Sequence, residues 1–457
     1  MDVASLMQER AQIKHDVFNN KIPKRVPIEV RLSMTVVADY AKIDRRAAYW
    51  NPSLLQKAAE ELCEMIPSDF NVYSPTIYSP VSSQSLDAIN KVMSSTGFMQ
   101  HPNTTCMTAD EYDELIADPY AFMLEKCIPR IYKALDGSIN PGRNVFALAQ
   151  EQQMKREVAM KDMPMIMEIN KKFGYPSSAR PKPSRVPMDW IADQLRGFDG
   201  ICLDVRRHRD KLIAALEACY PMIYKQGLQA QAGSENVDRS AFSSFQLHMA
   251  SYLRVKDFEE VWLPTWKRQV TDYASFGIRT FAFMEDRWEE PLLERMNELP
   301  TGSYFTFEAT DAKLMKEKLG KRHVLGGGFP IEYLLTCTKA EIIDKTKAWL
   351  DIMAPGGQYV FTFDKNALAL TDINLENLIA VCETVRDYGV YDNPGESTGE
   401  VFNKADYKHS DVPEFDSKYY RSWKKFVEQY PDTPEEARKT YEAAEQSMLE
   451  SVFLMLC

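Results

Sequence analysis

The sequence predicts an α/β protein, a (β/α)8 TIM barrel with N-terminal and C-terminal helical extensions. Between residues 242 and 366, short runs rich in β-branched and aromatic residues alternate with helical stretches. This alternation is typical of βα units that build a parallel sheet. The glycine fingerprint of dinucleotide-binding open sheets does not occur in these units, which favours a closed barrel. Barrel enzymes carry their chemistry at the carboxyl ends of the strands, so we expect the functional groups there.

The predicted strands are clearest in the second half of the chain. They lie at 244–250, 280–288, 302–311, 322–330 and 356–366, with Tyr359 to Phe363 as the last strand of the barrel. Earlier β-rich runs occur at 21–34 and 70–80, and a short one is expected around 201–203. The pattern predicts three regions, which are an N-terminal helical arm (1–22), the barrel (23–390) and a C-terminal helical extension (391–457).

The stretch FGYPSSARPKPSRVP (173–187) is the clearest irregular segment before the second half. Its prolines and basic residues permit two interpretations. It is either a surface linker or a lid over the barrel mouth. In the second case Arg180, Lys182 or Arg185 would lie near the mouth and meet an anionic ligand.

Composition excludes several functional classes. The chain has 457 residues, 45% hydrophobic and 26% charged, which is enough to bury a large core. A net charge of −11 disfavours binding of nucleic acid through a basic face. Eight scattered cysteines without a CxxC pair indicate reduced thiols. Neither a signal peptide nor a transmembrane run is recognisable, so we expect a soluble cytoplasmic protein without a membrane partner.

A metal site is one hypothesis for the strand ends. His248, Glu285 and His323 would together form a two-histidine, one-carboxylate set, which suits zinc with an open fourth position. Such a zinc acts as a Lewis acid on a thiol or an ether oxygen. The alternative for His248 is a hydrogen-bonded histidine of the barrel. The alternative for Glu285 is an ion pair with Arg279 or Arg287.

Other strand-end residues suggest further roles. Glu285, Asp286 and Asp364 are candidate catalytic carboxylates, with Asp364 orienting the substrate or a ligand's ring N–H. Gly326, Gly327 and Gly328 are candidate cofactor-binding residues, because glycine lets a ligand approach the backbone closely. As an alternative, the glycines form a tight turn at the barrel rim. The alternative for Asp364 is that its side chain caps a turn.

Three segments carry a resemblance to the uroporphyrinogen decarboxylase superfamily. They are FEEVWLPTWKRQVTDYASFGIRTFAF (258–283), EKLGKRHVLGGGFPIEYLLTCTKAEIIDKTKAWLDIMAPGGQYVFTF (317–363) and INLENLIAVCETVRDYG (373–389). The resemblance covers roughly residues 20–390. The propionate-binding Arg-Gln-x-x-Gly-Arg-Tyr stretch of the decarboxylases is missing from VRLSMTVVADYAKIDRR. The His-x-Cys of the zinc methyltransferases is replaced by Met284-Glu285-Asp286.

The sequence is thus similar to a divergent, demethylase-type branch of corrinoid-dependent methyltransferases. This resemblance implies transfer of a methyl group from a small methylated substrate to a corrinoid, with zinc activating the leaving atom. A corrinoid-binding Asp-x-His-x-x-Gly motif does not occur, so the corrinoid would come from a partner protein. Two alternatives stay open: a decarboxylase acting on another carboxylate, and a non-catalytic ligand-binding barrel. The apolar last turn, VFLMLC, predicts packing on the barrel or on a second subunit of a homodimer.

Overall fold

The strands of this chain form mainly one parallel sheet. The computed structural model describes residues 2–75, 79–138, 142–176, 181–231 and 242–456. Its strands are β1 (Leu32–Ser33), β2 (Tyr73–Ser74), β3 (Val92–Met93), β4 (Met99–Gln100), β5 (Lys182–Pro183), β6 (Phe242–Leu247), β7 (Arg279–Met284), β8 (Tyr304–Phe307), β9 (Val324–Gly327) and β10 (Tyr359–Val360).

Helices occupy most of the remaining chain. Those of eight or more residues are α1 (Val3–Phe18), α2 (Met34–Ala41), α3 (Gln56–Met65), α4 (Arg143–Phe173), α5 (Gly197–Arg207), α6 (Arg209–Gln231), α7 (Leu263–Ser275), α8 (Ala312–Leu319), α9 (Lys339–Met353), α10 (Leu375–Tyr388) and α11 (Arg438–Leu456). Shorter α-helices span Arg45–Trp50, Pro80–Ser85, Tyr112–Ala117, Pro119–Phe122, Ile128–Ile131, Pro187–Ile191, Val255–Asp257, Glu290–Met296, Tyr333–Thr336 and Trp423–Gln429.

Eight parallel segments follow one another in barrel order. The six-stranded sheet runs β10-β9-β8-β7-β6-β5, and β1 pairs with β2 in parallel. A parallel bridge between Ile28 and Phe361 joins the chain before β1 to the continuation of β10. In the described ranges no ladder joins β2 to β5. The fold is therefore α/β with a parallel sheet, and a complete TIM barrel is not shown.

One sequence-based prediction fails before residue 242. The expected strand at 201–203 lies within α5, because Ile201, Asp204 and Val205 recur with helical spacing and are buried in that helix. In the proline-rich stretch, Lys182–Pro183 form β5 at the edge of the sheet beside β6, and the role of the stretch as a lid stays a prediction. Arg180 lies outside the described residues. Arg185 follows the carboxyl end of β5.

The amino-terminal end of the sheet is closed by α1. Val17 and Phe18, in its last turn, are buried with Phe242, Tyr304 and Val324 from three strands. The rings of Phe18 and Phe242 lie 5.3 Å apart, and those of Phe18 and Tyr304 lie 5.4 Å apart. This end of the sheet is filled with apolar side chains and leaves the opposite, carboxyl end for a functional site.

The C-terminal helix α11 packs on its own chain. Leu449, Val452 and Phe453 are buried in the main core. The ring of Phe453 lies 5.5 Å from that of Trp190. In the described part of the chain, no helix has the length and apolar character needed to cross a membrane.

Candidate functional site

On β6 and β7, one face packs on helices, and the other is more open. On β6, Phe245 and Leu247 are fully buried, and Phe245 contacts Trp266 of α7. The alternating residue Gln246 is exposed, although it lies in the interior of the sheet. Side chains on adjacent residues of a strand point to opposite faces. Gln246 and Phe283, the neighbouring residue on β7, therefore line an open face that leads to the carboxyl ends of the strands.

Polar residues occupy the ends of neighbouring strands at the same level. Leu247, Met284, Phe307 and Gly327 are in register, so His248, Glu285 and Glu308 follow three adjacent strands directly. The backbone N–H of Glu285 donates to Leu247 O (3.3 Å), and that of Glu308 donates to Met284 O (3.2 Å). Neighbouring strands lie about 4.8 Å apart, so these side chains form one group. We call the strand ends at His248, Glu285, Glu308 and Asp364 the mouth.

His248 is held as a cation by Asp193. Its Nδ1 lies 2.8 Å from Asp193 Oδ1. This hydrogen bond raises the pKa of His248 to about 9, against an opposing effect of burial, with further support from the charges of Asp193, Glu285 and Asp189. At neutral pH the imidazole is therefore protonated. Since Asp193 occupies Nδ1, the Nε2–H is the ring donor that can serve a ligand.

Asp189 fixes the backbone on which His248 lies. It is 4% exposed. Its carboxylate accepts the backbone N–H groups of His248 (3.0 Å) and Met249 (3.3 Å) and the indole N–H of Trp262 (2.7 Å). Burial raises the pKa of Asp189 to about 8, and the charge of Asp193 adds to this effect. The end of β6 is thus anchored to the helical segment that carries Asp193.

Glu285 faces this histidine across the strand pair. Burial raises its pKa; the cationic His248 opposes this effect, and the charges of Asp193 and Glu308 add to it. Ion pairs to Arg279 or Arg287 do not form in the described chain. Arg279 begins β7 at the opposite end, and Arg287 is exposed beside Glu289. The alternative of a structural ion pair for Glu285 is therefore wrong.

Asp286 and Glu308 are joined through the backbone. Asp286 has φ +60°, a left-handed conformation that is uncommon outside glycine. Its N–H donates to Glu308 Oε2 (2.9 Å). The other oxygen of Glu308 lies 3.6 Å from Lys365 Nζ. Glu308 therefore links the end of β7 to the cationic side chain that follows β10.

Asp364 lies at the mouth and holds a turn. It is 9% exposed, and its Oδ1 accepts the backbone N–H groups of Ile331 (2.9 Å) and Lys365 (2.8 Å). Burial raises its pKa, and these two hydrogen bonds and the Lys365 charge oppose the change. The turn-capping alternative is present in the structure, and a catalytic role for Asp364 stays a prediction.

Packing accounts for the three glycines. A Cβ on Gly326 would lie 2.7 Å from the hydroxyl of Tyr304. Gly327 and Gly328 have φ of +79° and +75°, and a Cβ on either would collide with Phe307. All three positions are buried. The glycines are therefore required by contact between β8 and β9, and cofactor binding by them stays a prediction.

His323 does not belong to this group. It precedes β9, five residues before the level of the mouth at Gly328, which corresponds to roughly 16 Å along the strand. Its side chain is completely buried and packs edge-on against Phe305, with ring centroids 4.9 Å apart. Burial lowers its pKa to about 3. The predicted site of His248, Glu285 and His323 is wrong because His323 lies at the amino-terminal end of the sheet.

Without His323, two of the three predicted zinc ligands remain at the mouth, His248 and Glu285. Asp193 engages Nδ1 of His248, which leaves Nε2 as the second ring nitrogen. Across the described ranges, no group of three or more histidine, cysteine, aspartate or glutamate side chains has an arrangement that could hold a metal ion. The side chains at the mouth instead provide one imidazolium, several carboxylates and one lysine.

Sequence reasoning missed Asp189 and Asp193. Both lie in the apolar segment PMDWIADQL (187–195), four residues apart, as on one face of a helix. Two carboxylates in so apolar a helix signal buried partners, because an unpaired buried charge is costly. That signal could have placed them beside a cation.

Comparison with known proteins gives a fold resemblance. Neither protein-family models nor curated protein sequences match this chain. Among solved structures, it resembles a methyltransferase from Methanosarcina mazei with a TM-score of 0.51 and 16% sequence identity, over 82% of this chain and 99% of the other. At this identity the resemblance shows the fold alone. The two chains share an α/β architecture over nearly the whole length of the methyltransferase.

Proposed function

We propose that this protein is a methyltransferase that takes a methyl group from a small methylated substrate and passes it to a corrinoid carried by a partner protein. The observation that carries the proposal is the cationic His248 at the mouth, with Nδ1 bound to Asp193 and Nε2–H left for a ligand. The fold resemblance to a methyltransferase supports the same reaction class.

The proposed chemistry uses His248 as a general acid. The bond between the methyl carbon and the substrate's oxygen, nitrogen or sulfur breaks, and its electron pair stays on that atom. Nε2 of His248 donates a proton to the same atom, so that it does not leave as an anion. The reduced corrinoid supplies the electron pair for the new bond to the methyl carbon. Asp193 stabilises the imidazolium before the transfer.

The charges at the mouth favour this reaction over decarboxylation. Asp193 and Glu285 are carboxylates near His248, and Glu308, near Glu285, engages Lys365. A substrate carboxylate would be repelled by these groups and would have His248 as its main cationic partner. A neutral or cationic methyl donor does not meet this repulsion.

Methyl transfer to free cob(I)alamin tests the proposal. The purified protein is incubated with cob(I)alamin and 2-methoxyphenol, trimethylamine or dimethyl sulfide, and methylcobalamin is followed by its absorbance. We expect turnover with at least one donor. His248→Gln should reduce the rate on the order of 100-fold, as expected for the loss of a general acid. The control His15→Gln changes an exposed histidine of α1 and should retain the rate.

Two results would contradict the proposal. One is the absence of methylcobalamin with all three donors. The other is a wild-type rate in His248→Gln with cob(I)alamin saturating.

A further inference from the structure

The outward face of α4 carries apolar side chains that are exposed among the described residues. Val145 is 79% exposed, Phe146 66%, Met160 73%, Met163 56% and Met167 66%. With 3.6 residues per turn, these side chains share one side of the helix. The opposite side, which includes Glu151 and Ile169, is buried against the protein. Exposed apolar side chains at both ends of one side of a helix indicate an interaction surface.

The apolar surface continues onto α1. The C-terminal end of α4 lies against α1, where a Cβ on Gly174 would come 2.8 Å from Val3 O. Val3 and Met7 of α1 are 48% and 42% exposed. The surface therefore consists of the outward side of α4 and the adjoining residues of α1, and we call it the α4 face.

Two opposite charges lie halfway along the α4 face. Arg156 and Glu157 are both exposed and stand midway between Val145 and Met167. Arg156 has no ion-pair partner within the described ranges. Glu157 accepts a hydrogen bond from Gln153 Nε2 (3.0 Å). The face thus has an apolar cluster at each end and a pair of opposite charges at its centre.

We infer that the α4 face binds the same face of a second copy of this chain, with the two α4 helices antiparallel. A two-fold axis between Arg156 and Glu157 brings Arg156 of each copy level with Glu157 of the other. The same axis brings Phe146 of each copy level with Met167 of the other. Such self-complementarity is the requirement for a symmetric two-fold interface. The proposal does not depend on the catalytic function.

The mass of the full-length protein in solution tests the interface. Light scattering after size exclusion and sedimentation equilibrium should give a dimer. Met163→Glu places a charge in the apolar contact and should raise the dimer dissociation constant at least about 100-fold, as expected at a buried interface position. The control Val401→Glu adds a charge at another exposed apolar residue, 70% exposed and outside α4, and should leave the dissociation constant unchanged.

Charge reversal tests the register of the two helices. Arg156→Glu and Glu157→Arg should each weaken the dimer, because like charges then meet across the axis. The double variant Arg156→Glu/Glu157→Arg should restore it. A monomeric wild-type protein at all concentrations, a dimer insensitive to Met163→Glu, or a double variant weaker than both single variants would overturn the proposal.

Discussion

At the residue scale, Asp193 determines the charge of the mouth. Asp189 and Asp193, from the helical segment after β5, and Glu285, from the end of β7, raise the pKa of His248. Of these, Asp193 forms the direct hydrogen bond and has the largest effect on the pKa of His248. Because that pKa is raised, the contribution of His248 to stability is fully present below about pH 6.5, the ordinary histidine value. It is lost as the pH rises through about 9.

Asp193→Asn should lower the pKa of His248 from about 9 toward the ordinary histidine range. An asparagine keeps the shape of the side chain and removes the charge that favours the imidazolium. The titration of the His248 ring, followed by NMR, measures the effect independently of catalysis. Asp199→Asn is the control, because Asp199 is exposed on the neighbouring helix α5. An unchanged His248 pKa in Asp193→Asn would show that another group holds the proton.

The residues of the mouth differ in how far sequence could predict them. His248, Glu285 and Asp364 follow recognisable strands, so their placement at the carboxyl ends could be predicted from the βα pattern alone. Asp193 could not, because its segment follows a strand of two residues that the proline-rich sequence concealed. His323 was misplaced because a residue beside a strand can precede it or follow it. The start of β9 at Val324 decides this point.

At the element scale, the contact between β8 and β9 depends on glycine. Gly328→Ala should lower the free energy of unfolding by roughly 2–4 kcal/mol, because its Cβ would lie 2.1 Å from the Phe307 ring and its φ is +75°. Gly395→Ala is the matched control. It shares a positive φ of +88° and has no atom within 4 Å of the added Cβ. Gly395→Ala should lower the free energy of unfolding by only about 1 kcal/mol.

Denaturant unfolding of both variants separates strain from collision. A similar loss of stability in the two variants would mean that backbone conformation alone requires glycine at position 328.

The βα alternation predicted the elements from β6 to β10, since each strand there is bounded by clear helices. Sequence could not predict the collision with Phe307, because it depends on the register of β8 against β9.

At the scale of the whole molecule, both terminal segments pack against parts of the chain that are distant from them in sequence. The last turn of α1 fills the amino-terminal end, where Arg279 Nη1 donates to Phe18 O (2.5 Å). Near the other terminus, Tyr132 donates its hydroxyl to Met455 O (2.5 Å). The two predicted extensions thus pack against the rest of the chain. Composition indicated that this apolar last turn needs a partner surface, but it did not indicate that Val452 and Phe453 pack on the same chain.

Phe453→Ala should therefore destabilise the whole protein and not only its last helix. Phe453 is 1% exposed and contacts Trp190, in the short helix whose Asp189 anchors the end of β6. Removing a buried phenylalanine costs about 3–5 kcal/mol, from lost burial and the cavity that remains. The adjacent Leu454→Ala is the control, because Leu454 is 55% exposed and its truncation should lower the free energy of unfolding by about 0.5 kcal/mol or less.

Thermal unfolding, followed by circular dichroism and by tryptophan fluorescence, measures the stability of both variants. If Phe453→Ala unfolds α11 alone while the fluorescence transition keeps its wild-type midpoint, the C-terminal extension is an independent unit and does not support the mouth.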